Sequence, residues 1–210
     1  MTGGTKRVMK RTGILGGTFD PIHNGHMAMA ELALVQLNLD ELVLLPAGNP
    51  YFKKRISPYE DRYMMCCLAA AQSEHRGSIS VSRLEADEGK PTYTYDTLAR
   101  FKERDPDSIL YFLCGADVLE SIHSWRQPEG IFAQAKLAVF ERDGSESVRL
   151  SAEKLKESYP QAECVFISGE VPDISSTMIR ESVKSRGTIA DLVSPAVGEY
   201  IYEKKLYTGE

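Results

Sequence analysis

The residues best suited to chemistry lie in one early stretch, Gly16-Gly17-Thr18-Phe19-Asp20-Pro21-Ile22-His23-Asn24-Gly25-His26. Two glycines directly after the apolar run Thr12 to Leu15 let backbone approach an anion where a Cβ would clash. The helix that follows would present unpaired N–H groups to the same anion. His23 and His26 stand three apart, so on a helix's first turn their imidazoles point the same way. The combination reads as a phosphate grip with two imidazole donors. Its bland rival is a glycine turn carrying two surface histidines, and the strand before and helix after disfavour it.

Such a grip needs a scaffold that puts a strand end and a helix start together. Thr12 to Leu15 reads as a buried strand, and Asn24 to Leu37 as a helix with Met27, Ala30, Leu34 and Leu37 at helical spacing. Glu41 to Leu45 supplies a second strand, so a right-handed parallel crossover is the simplest topology. Pro46 to Pro50 ends it and opens a loop carrying Lys53, Lys54 and Arg55, after which Ser57-Pro58 with Glu60 starts a helix running to about His75. Ser78 to Ser82 is predicted as a strand, and Thr94 or Asp96 as the cap of a helix through Leu98, Phe101 and Lys102.

Ile109 to Cys114, apolar on both faces, is the clearest central strand and runs into Gly115-Ala116-Asp117. A short helix from Asp117 leads to Trp125, and Pro128 to Ala135 makes another. Leu137 to Phe140 and Cys164 to Ile167 read as strands, with a surface helix from Ser151 to Tyr159 between them. Ser175-Ser176-Thr177 begins a helix with Gly187 as its C-cap, and Pro195 to Lys205 closes the chain as a helix.

Strands alternating with helices, without linker, repeat or low-complexity stretch, predict an α/β fold: a Rossmann-like doubly wound parallel sheet flanked by helices. We expect one domain over residues 9–210 with a small helical part at its C-terminus, and an N-terminal extension over 1–8, with Met9 as an alternative start. Ligands are expected beyond the carboxyl ends of the strands.

The bulk properties narrow the partners. With 25 Lys and Arg against 30 Asp and Glu, a formal charge of −5 argues against a general nucleic-acid binder. Cys66, Cys67, Cys114 and Cys164 show no metal-binding spacing and read as reduced thiols of a cytoplasmic protein. The most apolar run, Met64 to Ala71, falls far short of the ~20 residues that span a bilayer, so no membrane partner is expected. Met1 to Arg11 is basic but lacks an apolar core, so it is not a secretory signal. The sequence leaves a homo-oligomer open.

The early motif together with Ile174-Ser175-Ser176-Thr177-Met178-Ile179-Arg180 closely resembles the nucleotidyltransferase superfamily that has a (T/H)xGH signature and a distal ISSTxIR. Within it the chain is similar to the bacterial nicotinate-nucleotide adenylyltransferases, through Pro46 to Lys53, Arg62 to Met65, Tyr93 to Leu98, Gly115-Ala116-Asp117 with Trp125, and Val197 to Tyr207. The resemblance implies transfer of the AMP half of ATP to nicotinate mononucleotide, with Mg²⁺ carried on the ATP phosphates rather than in a protein metal site. It places Gly16, Gly17, Thr18 and Phe19 against ATP and has His23, His26 and Arg180 act on the phosphates. Ser175, Ser176 and Thr177 would offer donors from a second helix N-terminus, and Asp117 would accept from a ribose hydroxyl. For the acceptor it implies Trp125 as a stacking face, backbone around Tyr93 and Thr94 as carboxylate donors, and Lys53 for the mononucleotide phosphate.

One departure stands out: the family loop commonly reads Pro-Pro-His-Lys, and here it is Pro50-Tyr51-Phe52-Lys53. Lys54 or Arg55 could make up the lost contact. Two other readings stay open at this point, a transferase of the same superfamily with another acceptor such as phosphopantetheine, and a nucleotide-binding protein without catalysis. Trp125 and Tyr93-Thr94 speak against the first, and the intact histidines and Arg180 against the second.

Overall fold

Ile14 and Leu15 are neighbours on one strand, yet both are buried, against different halves of the core. A strand covered on both faces has no polar side to show, which is why an apolar run rather than an alternation marks it. The computed structural model describes residues 9–48, 56–86, 92–141 and 146–209. Six such strands form one sheet: β1 (Arg11–Gly17), β2 (Glu41–Pro46), β3 (Ile79–Val81), β4 (Ile109–Gly115), β5 (Ala135–Glu141) and β6 (Cys164–Ser168). All neighbours are parallel, in the order β3-β2-β1-β4-β5-β6.

Parallel neighbours need crossovers, and among the described residues eight α-helices supply them or follow the last strand. Helices α1 (Asn24–Gln36), α2 (Tyr59–Gln72), α7 (Ser176–Lys184) and α8 (Pro195–Glu203) bury Met27, Met65, Ile179 and Val197 in one half of the core. Helices α3 (Thr94–Arg104), α4 (Asp117–Ser121), α5 (Pro128–Gln134) and α6 (Glu146–Ser158) bury Leu98, Leu119, Ile131 and Leu155 in the other. The expected doubly wound sheet is what forms. Its winding reverses between β1 and β4, which pair directly with Leu15 opposite Leu113, so a crevice opens beyond their carboxyl ends.

Several local expectations need correcting. Neither Thr94 nor Asp96 caps α3; Tyr93 holds the N-cap position, and no side chain caps the helix there. Helix α6 begins at Glu146 rather than Ser151, because Val148 continues the buried stripe of Ala152 and Leu155. Helix α2 ends at Gln72, short of His75, and α8 ends at Glu203, short of Lys205. Helix α7 has its C-cap at Ser185, not Gly187: Arg186 takes the left-handed conformation at φ 60°, its N–H donates to Val183 O, and Gly187 N–H reaches back to Ser182 O at 2.7 Å. The four cysteines are free thiols, and burial pushes those of Cys66 and Cys114 up, which suits core packing rather than reactivity. Among the described residues, no helix is long and apolar enough to cross a membrane. Residues 1–8 and the loop with Lys53 lie outside the described residues.

Candidate active site

The early motif occupies the predicted place, at the carboxyl end of β1. Gly16 is exposed and a Cβ there would meet nothing closer than Phe112 at 3.9 Å, so its backbone faces open crevice. Gly17 answers a different need, since a Cβ would meet the Phe19 ring at 2.9 Å. Phe19 itself is buried and left-handed at φ 50°, a strained conformation for an aromatic residue that turns the chain from strand toward helix. A cis Asp20-Pro21 bond follows.

His23 does not stand in the first turn of α1 as expected; it is the N-cap, and His26 is the third residue inside. The spacing argument survives this change, because the two rings stack at 3.6 Å and 28°. His26 also meets the edge of Phe19 at 5.0 Å. The backbone N–H of His23 donates to Nδ1 of His26 at 3.3 Å, which leaves Nε2 of a neutral His26 as the proton carrier. His23 is 7 % exposed; its Nδ1 faces the turn of its own helix and makes no full hydrogen bond there. Burial holds the His23 imidazole well below its ordinary range, at about 4, so it is neutral in the free protein at pH 7.

The distal motif is drawn onto this loop. A Cβ on Gly25 would meet Pro172 O at 3.0 Å, so glycine in the first turn of α1 is what lets the chain before α7 pass so closely. Ser175 caps α7 by accepting from Met178 N–H at 3.1 Å, and it is exposed together with Thr177. Ser176 Oγ donates to Pro21 O at 2.8 Å. Arg180 donates from Nη1 to Asp20 O at 2.7 Å and from Nη2 to Thr177 Oγ1 at 2.9 Å. The N-termini of α1 and α7 are thus tied together, two positive helix ends at one crevice. Beside them a cavity of 310 Å³ is lined by Thr177, Arg180, Glu181, Lys184, Tyr207 and Gly209.

Three supports were not singled out as site residues, although each lies in a segment that carries the resemblance. Asp20 is buried at 3 % exposure, and its carboxylate accepts from Ser57 N–H at 3.2 Å and from the Tyr207 hydroxyl at 2.7 Å. Tyr207 belongs to the C-terminal turn, and burial beside that carboxylate pushes its hydroxyl pKa up. Arg62 of α2 is fully buried and donates to Thr18 O at 2.7 Å, Ser57 O at 3.0 Å and Gly48 O at 3.2 Å. It clamps the loops after β1 and β2 and the approach to α2. Buried charge spent on backbone carbonyls is the signal, and only coordinates display it.

Across the crevice, β4 ends at Gly115, and the exposed Asp117 folds back so that a Cβ on Gly115 would lie 2.6 Å from its Oδ1. Trp125 is half-buried and meets Phe112 of β4 edge-on at 6.0 Å. Arg126 lies over the Tyr93 ring at 4.7 Å and near Asp96 at 3.5 Å. Tyr93 and Thr94 stand at the start of α3, a third helix N-terminus. Among the described residues no cluster of His, Cys, Asp and Glu could hold a metal ion, and Asp20 is already committed.

Comparison with known proteins matches the cytidylyltransferase-like family over residues 14–182. A protein of Clostridium tetani named probable nicotinate-nucleotide adenylyltransferase is 36 % identical over 203 residues, covering 95 % of this chain and all of that one. A Mycolicibacterium smegmatis protein of the same name is 40 % identical over 199 residues, covering 92 % and 91 %. The Plasmodium falciparum nicotinic acid mononucleotide adenylyltransferase, solved in complex with NaAD, superimposes with a TM-score of 0.77 over 96 % of this chain and 98 % of that one. At 24 % identity that likeness bears on the fold alone.

Proposed function

The chain belongs to the cytidylyltransferase-like family, and from that premise and its full-length relatives we infer the reaction it carries out. It transfers the AMP half of ATP to nicotinate mononucleotide, giving nicotinate adenine dinucleotide and pyrophosphate, a step of NAD biosynthesis. The observation that carries the site's part in this is the tie between Arg180 and Asp20, which brings the α1 and α7 N-termini to one crevice beside the stacked histidines.

The attacking atom is a phosphate oxygen of the acceptor, already an anion. It forms a bond to the α-phosphorus of ATP as the bond to pyrophosphate breaks, so no general base is required. What the protein must supply is alignment and a field that welcomes charge developing on the α-phosphate and the leaving group. Gly16, Gly17, Thr18 and Phe19 line the nucleotide's path, and His23 and His26 donate to its phosphates. Ser175, Ser176, Thr177 and Arg180 receive the β- and γ-phosphates from the opposite side. Asp117 accepts from a ribose hydroxyl at the end of β4. Mg²⁺, carried on the triphosphate, would neutralise part of the same charge.

On the acceptor side, Trp125 offers its open face to the pyridine ring, and the uncapped start of α3 at Tyr93 and Thr94 receives the ring carboxylate. Lys53 is assigned to the mononucleotide phosphate. The test is pyrophosphate release from ATP and Mg²⁺ with nicotinate mononucleotide, nicotinamide mononucleotide and phosphopantetheine side by side. Fastest release with nicotinate mononucleotide is expected. Release with phosphopantetheine alone would move the chain to another acceptor within the family.

A further inference from the structure

We propose that Arg126 reads the ring carboxylate of the acceptor and thereby sets the preference for a nicotinate over a nicotinamide mononucleotide. This rests on the acceptor reading above and adds to it a side chain that the motif resemblance does not include.

The chain is built to hold this arginine at the start of α3. Gln127 is left-handed at φ 52° and ψ 60°, and Pro128 then opens α5, so the backbone reverses sharply just after Arg126. Helix α5 packs on α3 so closely that a Cβ on Gly130 would collide with the Tyr95 ring. A strained turn followed by a close helix pair leaves residues 125 and 126 facing the N-terminal end of α3.

The guanidinium is held there loosely. Its carbon sits 4.7 Å from the Tyr93 ring centroid, a cation–π contact that orients it without using its N–H donors. Its Nη1 lies 3.5 Å from Asp96 Oδ2, too long for a strong charge-assisted bond, and the two side chains are 51 % and 45 % exposed. Asp96 is thus an internal carboxylate weakly engaged by the arginine, in the position a ligand carboxylate would contest. The backbone offers a second attraction, because no side chain caps α3. The backbone N–H of Trp125, by contrast, is already spent on Ile122 O at 3.0 Å and cannot serve the ligand.

A pyridine ring on Trp125 with its carboxylate toward Tyr93 meets Arg126 and the α3 N-terminus together. A carboxamide there carries no charge, so it gains little from the guanidinium and leaves Asp96 in place. The two acceptors differ in that charge and in the N–H donors that replace one carboxylate oxygen, and Arg126, a cation with donors only, is set where both differences are expressed.

Arg126→Gln should lower kcat/KM for nicotinate mononucleotide by about 10- to 100-fold while nicotinamide mononucleotide and the KM for ATP change little. Arg126→Lys should retain part of the selectivity, and Asp96→Asn, by freeing the arginine, should lower the nicotinate KM. Equal losses with both acceptors would assign Arg126 a packing role and overturn the proposal. A wild type selective for nicotinate whose Arg126→Gln variant keeps that selectivity overturns it alone. A wild type inactive with both pyridine mononucleotides overturns the acceptor reading and this proposal with it.

Discussion

The Tyr207 hydroxyl donates to Asp20 Oδ1 at 2.7 Å across 187 residues of chain, closing the C-terminal turn onto the loop that leads into the paired histidines. Asp20 is the loop's fixed point: its carboxylate holds Tyr207 and Ser57, and its carbonyl holds Arg180. The loop that carries the paired histidines is therefore braced by the C-terminal turn, and its geometry depends on it.

Tyr207→Phe keeps the ring and removes one donor from a carboxylate that is almost wholly buried. The expected cost is about 1 to 3 kcal/mol, read by urea denaturation. Because Arg180 hangs on the same residue, kcat should fall while the acceptor KM stays near its original value. A variant with native stability and native kcat would show that the bond braces nothing.

Arg62→Met is expected to be more damaging. It strips a donor from Thr18 O, Ser57 O and Gly48 O at once, in a site with no access to solvent. A loss of about 3 kcal/mol or more is expected, since each buried acceptor left bare costs about 1 to 3 kcal/mol. Where the variant still folds at low temperature, its KM for ATP should rise more than its acceptor KM. Thermal denaturation and initial rates at 10 °C and 25 °C check both parts.

These braces mark the limit of what the sequence made legible. Glycine turns, strand runs and helix starts are local, so the parallel sheet, the two helix starts that meet at the crevice and the stacked histidines follow from residue spacing. The bond from Tyr207 to Asp20 and the three carbonyls on Arg62 are long-range, and nothing near either residue in the chain announces them. Local rules also misplace Gly187, because the left-handed position of α7's closing motif falls one residue earlier, on Arg186. The start of α6, by contrast, is written locally: Val148, Ala152 and Leu155 stand at i, i+4 and i+7, so the helical stripe itself extends the helix back beyond Ser151.

Trp125→Ala separates platform from packing. The indole is half-buried and makes a T-shaped contact with Phe112, so some stability is lost in any case. Stacking of a base on an aromatic ring contributes about 1 to 3 kcal/mol, so the acceptor KM should rise about 10-fold or more while the ATP KM moves little. Equal changes in both constants, measured by varying each substrate in turn, would leave only the packing role.

His26→Ala tests the more open of the two stacked rings. The variant should fold normally, since His26 is half-exposed at the crevice, and lose roughly 10²–10³-fold in kcat, the scale of removing one preorganised donor. Unchanged turnover, with circular dichroism confirming the native fold, would take His26 out of the mechanism.

His23 gives a pH signature of its own. Its imidazole is held at about 4 by burial, against an ordinary value of 6.5, so between these values the unfolded chain binds a proton that the native protein refuses. Stability from this group is complete above pH 6.5 and is lost as pH falls toward 4, by at most about 1.4 kcal/mol per pH unit. Other groups titrate in the same window, so the quantity to measure is the difference between wild type and His23→Gln, which cannot take up the proton. Urea denaturation at pH 7, 6, 5 and 4.5 should show the wild type losing stability faster than the variant. Parallel loss in both would mean that His23 is not held neutral by the fold. Binding of a triphosphate beside the stacked rings favours the imidazolium, so ATP added at pH 6 should reverse part of the wild-type slope and draw protons from the buffer, an uptake that calorimetry in two buffers of different ionisation enthalpy would register.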